Sequence, residues 1–181
     1  QDMFGDLIML LAMIIILVYI VMASQFESFM SPFVIMFSIP FAFVGVLLGL
    51  WITGTPLGTM GMIGILILMG IVVKNGIVLI DYTILMRERG KSVAEASVIA
   101  AKSRLRPILM TTLTTVLGMI PMAIGQGEGA EMWRSLGMVV AWGLSISTLV
   151  TLVIIPTVYA SMASWQERRA ARKAAKKLAK A

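Results

Sequence analysis

Lys74 and Asn75 stand side by side in IVVKNGIVLID, residues 71–81, within a run otherwise apolar enough for the middle of a membrane. A lysine at a bilayer centre costs roughly 2.5 to 3.5 kcal/mol on insertion scales, so a chain that keeps one there has a use for it. Snorkelling does not relieve it, because the inner end of the run is about eight residues away, roughly 12 Å at the helical rise. Such an ammonium calls for a carboxylate close by to hold its charge.

The sequence offers no good partner for it. Asp81 falls seven residues on and on nearly the same helical face, but about 10 Å further along the axis and next to a basic loop. An interfacial carboxylate paired with Arg87 or a neighbour is the plainer reading of Asp81. Glu27, Glu128 and Glu131 fall in connecting segments rather than in apolar runs. The counter-charge for Lys74 therefore comes from another segment of protein. A second polar group follows RLRPILM as Thr111, Thr112, Thr114 and Thr115. Threonines in spans commonly bond back to their own helix, so each alone is a weak signal. Arg104 and Arg106 sit at the membrane edge, where the tendency of basic residues to stay on the inner side explains them without further function.

Other chemistries are poorly supplied. With no cysteine and no histidine, the chain lacks thiolates, imidazoles and the usual bases that activate a serine, so an enzyme is not expected and no cofactor is called for. Soft-metal binding would rest on the 16 methionines, which are scattered through apolar runs where they read as flexible filler.

The elements that must position these residues follow from composition. The chain has 181 residues, is 59% hydrophobic and 13% charged, and has a mean hydropathy of +0.97. Five apolar runs long enough to cross a bilayer lie at about 7–23, 33–52, 60–82, 107–124 and 135–160. Each is helical by necessity, because hydrocarbon leaves open backbone groups unsatisfied. The expectation is an all-α transmembrane bundle over 1–164 with a basic cytoplasmic tail over 165–181. Of the 15 basic residues, six fall between the third and fourth spans and seven between Arg168 and Lys180, whereas Arg134 alone falls on the opposite side. That distribution places the N-terminus outside and the C-terminus inside.

Finer features can also be read. Ser92 and Glu95 form a capping-box pattern, SVAE, opening a helix over 92–103 whose apolar positions Val93, Ala96, Ile99 and Ala100 share a face, so an amphipathic helix on the inner membrane surface is expected. Pro107 then opens the fourth span, and Pro40 and Pro156 kink the second and fifth. Gly45, Gly49, Gly61, Gly64 and Gly70 permit close helix contacts. The tail is compatible with anionic lipid or with a solvated stop signal, and its lack of interleaved aromatics beyond Trp165 argues against nucleic acid. The start, QDMFGD, is acidic where a signal peptide is basic, which fits a piece of a longer polypeptide.

GIVVKNGIVLIDYTILMRERGKSVAEA followed by RLRPILMTTLTTVLGMIPMAIGQGEGAEMWRSLG resembles the second membrane half of resistance-nodulation-division (RND) efflux pumps, most closely the hydrophobe and amphiphile multidrug exporters of Gram-negative bacteria. ASQFESFMSPFVIMFSIPFAFVGVLLGL resembles the preceding part of that half, and the five runs match spans eight to twelve. The resemblance implies an inner-membrane homotrimer with twelve spans per subunit, large periplasmic domains, and partners in a periplasmic adaptor and an outer-membrane channel. Lys74 matches the family lysine that pairs with two aspartates from the first membrane half, Asn75 follows it in the motif, and Thr111 and Arg104 match the remaining members of a proton-relay network, with the proton as coupling ion. Asp81 and Thr112 are further candidates. The aspartate pair is not among these residues. A non-transporting scaffold or sensor relative and a metal-exporting relative are the alternatives.

Overall fold

The computed structural model describes residues 2–26, 30–125, 127 and 129–178 and is built from helices: α1 (Asp2–Phe26), α2 (Met30–Met36), α3 (Ile39–Thr53), α4 (Thr59–Glu88), α5 (Val93–Ile124) and α6 (Ala130–Leu178). Glu27 and Glu128, expected in connections, lie outside the described residues. Five helical segments are long and apolar enough to cross a membrane, as the apolar runs predict, with α2 and α3 together forming the second.

That second span is broken where hydropathy alone shows no break. At Phe37–Ser38 the helix turns: the Ser38 amide and hydroxyl both donate to the Ile35 carbonyl, at 3.0 and 2.6 Å. Pro40 then sits in the first turn of α3, where its missing amide leaves nothing unpaired. The expected kink is thus a full break. Helix α3 ends at Gly54 with φ of 63°, a left-handed cap that glycine adopts without a Cβ penalty. Helix α4 is followed by Gly90, also at positive φ (80°), and the chain reverses into α5 within a few residues.

Two boundaries differ from the sequence expectation. The helix starting at Ser92 does carry its capping box, with the Glu95 amide donating to Ser92 Oγ (3.4 Å) and the Ser92 amide donating to Glu95 Oε2 (3.3 Å). It does not stop at 103, however, but runs on through Pro107 as one helix to Ile124. Nor does its apolar side face lipid. Val93, Ala96 and Ala100 are buried, and Val93 and Ala100 pack in a cluster with Leu79, Ile80, Tyr159 and Ala163. The apolar stripe that reads as a membrane-surface helix is satisfied by protein instead. Likewise α6 continues past residue 165 without interruption, and Arg169 stacks on Trp165 at 4.1 Å, while the side chains of residues 170–181 lie outside the described set.

Helix α6 is the element the others share, packing along α3, α4 and α5. Glycines make this closeness available: a Cβ on Gly45 would stand 3.2 Å from the Gly143 backbone, and one on Gly49 would collide with the Trp142 side chain. At one end of the bundle Ser135 ties the α3–α4 connection to α6, accepting from the Gly58 amide (3.3 Å) and donating to the Pro56 carbonyl (3.1 Å). Helix α1 lies at the periphery and is mostly exposed.

Candidate functional site

The side of α4 carrying Lys74 is uncovered. Ile67, Gly70, Lys74, Asp81 and Leu85 are all exposed and fall on one stripe, whereas Val72, Asn75, Gly76, Leu79 and Thr83, on the other side of the helix, are buried. Lys74, which the sequence reading buries against a partner from another segment, is exposed among these helices. None of them packs over the stripe, so the ammonium stands at the edge of the bundle. Asn75 is 7% exposed and points the motif's second polar group inward. Asp81 shares the exposed stripe, and its expected pairing with Arg87 does not appear among the described contacts. Arg87 Nη1 donates to the Tyr159 hydroxyl at 3.3 Å.

Arg104 of α5 is half-buried, with its guanidinium 4.7 Å from the centre of the Tyr82 ring. Its Nε is buried and has no hydrogen-bond partner among the described residues. This contact fixes the relative height of α4 and α5, which run antiparallel. Thr111 lies two turns beyond Arg104, about 10 Å along α5, and Lys74 lies about 12 Å back along α4 from Tyr82. The two therefore stand at nearly the same depth. Thr111 is exposed and donates to the Pro107 carbonyl at 3.0 Å, so its hydroxyl is committed to its own helix, as the plain reading of span threonines has it.

Thr112 is different. It is buried, and its hydroxyl lies 3.0 Å from that of Thr148 on α6. The depth of Thr148 can be read from where α4 meets α6: Gly61 against Ser135, Gly64 against Val139, Leu68 against Gly143, and Gly76 against Ile155. That register sets Thr148 and Thr151 beside the turn of α4 that holds Lys74 and Asn75. Thr151 Oγ1 is buried and has no hydrogen-bond partner. Asn75, Thr112, Thr148 and Thr151 thus make a polar layer inside the bundle at the height of Lys74. Sequence reasoning passed over Thr148 and Thr151. Their three-residue spacing, which places both on one helical face, was the available signal.

The site is cationic and short of acid. Lys74 and Arg104 contribute two positive charges on adjacent helices, and among the described residues no group of three or more acidic side chains is placed to bind a metal.

Comparison with known proteins accords with this architecture. Residues 1–163 match the family model described as AcrB/AcrD/AcrF. The chain belongs to the AcrB/AcrD/AcrF family. This chain is part of the membrane portion of an RND transporter. The family chain is 41% identical over 169 residues to the swarming motility protein SwrC of Bacillus subtilis (strain 168), a match covering 93% of this chain and 16% of that relative. It is also similar to two crystal forms of a heavy metal efflux pump, at 32% identity, with TM-scores of 0.77 and 0.70. Each of those matches covers 86% of this chain and 15% of the pump. The AcrB/AcrD/AcrF residues here thus span about a sixth of the length of those relatives.

Proposed function

We propose that this chain supplies the cationic half of the ion-coupling site in a proton-driven RND multidrug exporter. Lys74 holds an aspartate pair contributed by the remaining membrane half, and protonation of those aspartates releases it. Asn75, Thr111 and Arg104 complete the relay, and Thr112 orders the layer behind it. The working unit is an inner-membrane homotrimer with the N-terminus of this chain periplasmic and its C-terminus cytoplasmic, joined to an adaptor and an outer-membrane channel. The observation that carries this reading is the placement of Lys74 on an uncovered stripe of α4, at the depth of Thr111 and beside the buried Asn75. A cation at that depth calls for an opposite charge, and the open face is where another segment can supply it.

The test is the Lys74→Met variant of the full-length transporter, assayed for dye efflux from cells at matched membrane expression. The expected result is loss of efflux to the level of cells lacking the pump, and Lys74→Arg is expected not to restore it, because a planar guanidinium does not reproduce a compact ammonium. Efflux that survives Lys74→Met refutes the coupling role. A second reading, export of metal ions, is favoured by the likeness to the heavy metal efflux pump. Growth protection against metal salts, with none against organic dyes, would establish that reading in place of drug export.

A further inference from the structure

Helices α5 and α6 are pinned together at mid-depth by Thr112 and Thr148, and further out by the approach of Gly137 to the Ala123 backbone. Toward their inner ends they part. Between them lies a groove of about 500 Å³, walled by Ala94, Ala101 and Lys102 of α5 and by Val153, Pro156 and Ala160 of α6. The room comes from small side chains on both helices at positions where larger ones would fill it. That volume lies within the range of sites that take a small organic ligand.

The walls change character along the groove. Leu152, Val153 and Pro156 line its outer part, while Ala94 and Ser97 line its inner part, with Lys102 exposed between. The two hydroxyls at the groove are already committed as donors, Ser97 to the Val93 carbonyl (2.9 Å) and Thr157 to the Val153 carbonyl (2.7 Å). Lys102 is therefore the charged donor of the groove, and Arg106, four residues on, is exposed on the same side of α5. A cation where the apolar outer part gives way to Ala94 and Ser97 suits a lipid tail joined to an anionic head.

We propose that this groove binds an anionic phospholipid of the inner leaflet, its acyl chain along Leu152 and Val153 and its phosphate on the Lys102 ammonium. The inference shares the inward orientation of these helix ends with the proposed function but does not depend on ion coupling. The experiment is native mass spectrometry of delipidated full-length transporter titrated with phosphatidylglycerol or phosphatidylethanolamine. Wild type is expected to retain phosphatidylglycerol preferentially. Lys102→Gln is expected to reduce that preference about fivefold, the effect of one basic residue near a membrane surface, and Lys102→Arg to preserve it. Ala160→Trp, which fills the groove, is expected to remove the bound lipid. Undiminished preference in Lys102→Gln, an exposed position that does not hold the fold, overturns the proposal. So does wild-type retention in a folded Ala160→Trp protein.

Discussion

Single residues in this bundle differ sharply in what they tolerate, and the glycines make the contrast measurable. A Cβ at Gly137 would lie 2.8 Å from the Ala123 amide nitrogen and 3.2 Å from its Cα, atoms of a helix backbone that cannot rotate away. Gly118 on α5 has nothing within 4 Å of the same position. Gly137→Ala is therefore expected to lower stability by about 1 to 3 kcal/mol, the usual range for overpacking. Gly118→Ala should be neutral or slightly stabilising through helix propensity. Thermal unfolding of the two variants of the full-length protein in detergent checks the pair, and equal melting temperatures would show that the α5–α6 contact is looser than described. At this scale Lys74 and Asn75 were legible in the sequence, because a charge inside an apolar run stands out in one dimension. Thr148 and Thr151 were not, since their significance comes from the register of α6 against α4, which leaves no mark in local composition.

Helices were largely readable, and their breaks were not. Apolar length fixed the existence of five spans, but the turn at Phe37–Ser38 depends on a serine that caps Ile35 while Pro40 restarts the helix, a local competition that mean hydropathy averages away. Pro107 misled in the opposite direction. A proline that looks like a start lies within continuous helix, so the surface helix and the fourth span became one rod. The apolar face at Val93, Ala96 and Ala100 was visible as a pattern, yet the same pattern serves lipid or protein, and here tertiary packing decides for protein. The capping box at Ser92 was legible because its signature is short and mechanistic. Ser92→Ala should cost about 1 kcal/mol and fray the first turn of α5. Hydrogen exchange is expected to accelerate at residues 93–96 and to stay unchanged near Thr112; unaltered exchange in that first turn would mean that packing of Val93 alone holds it.

At the scale of the whole molecule, the uncovered stripe on α4 separates two kinds of exposed surface. Leu149 and Val153 of α6 are apolar and exposed, as a lipid-facing wall should be, whereas the α4 stripe mixes Ile67 with Gly70, Lys74 and Asp81. A photo-crosslinking amino acid at Ile67 of the full-length transporter is expected to capture polypeptide from the remaining membrane half, identified by mass spectrometry. Capture of lipid alone would leave Lys74 facing acyl chains and remove the basis for ion coupling. No sequence pattern within these residues names what covers the stripe, and the crosslink at Ile67 is the measurement that does.

The central position of α6 bears on how the bundle is made. Helices α3, α4 and α5 all rest against it, yet it follows each of them in the order of synthesis. During translation the earlier spans must wait in the bilayer with their small-residue faces unmatched. The contacts that join α3, α4 and α5 through α6 form once that helix arrives, as an arch stands once its keystone is set.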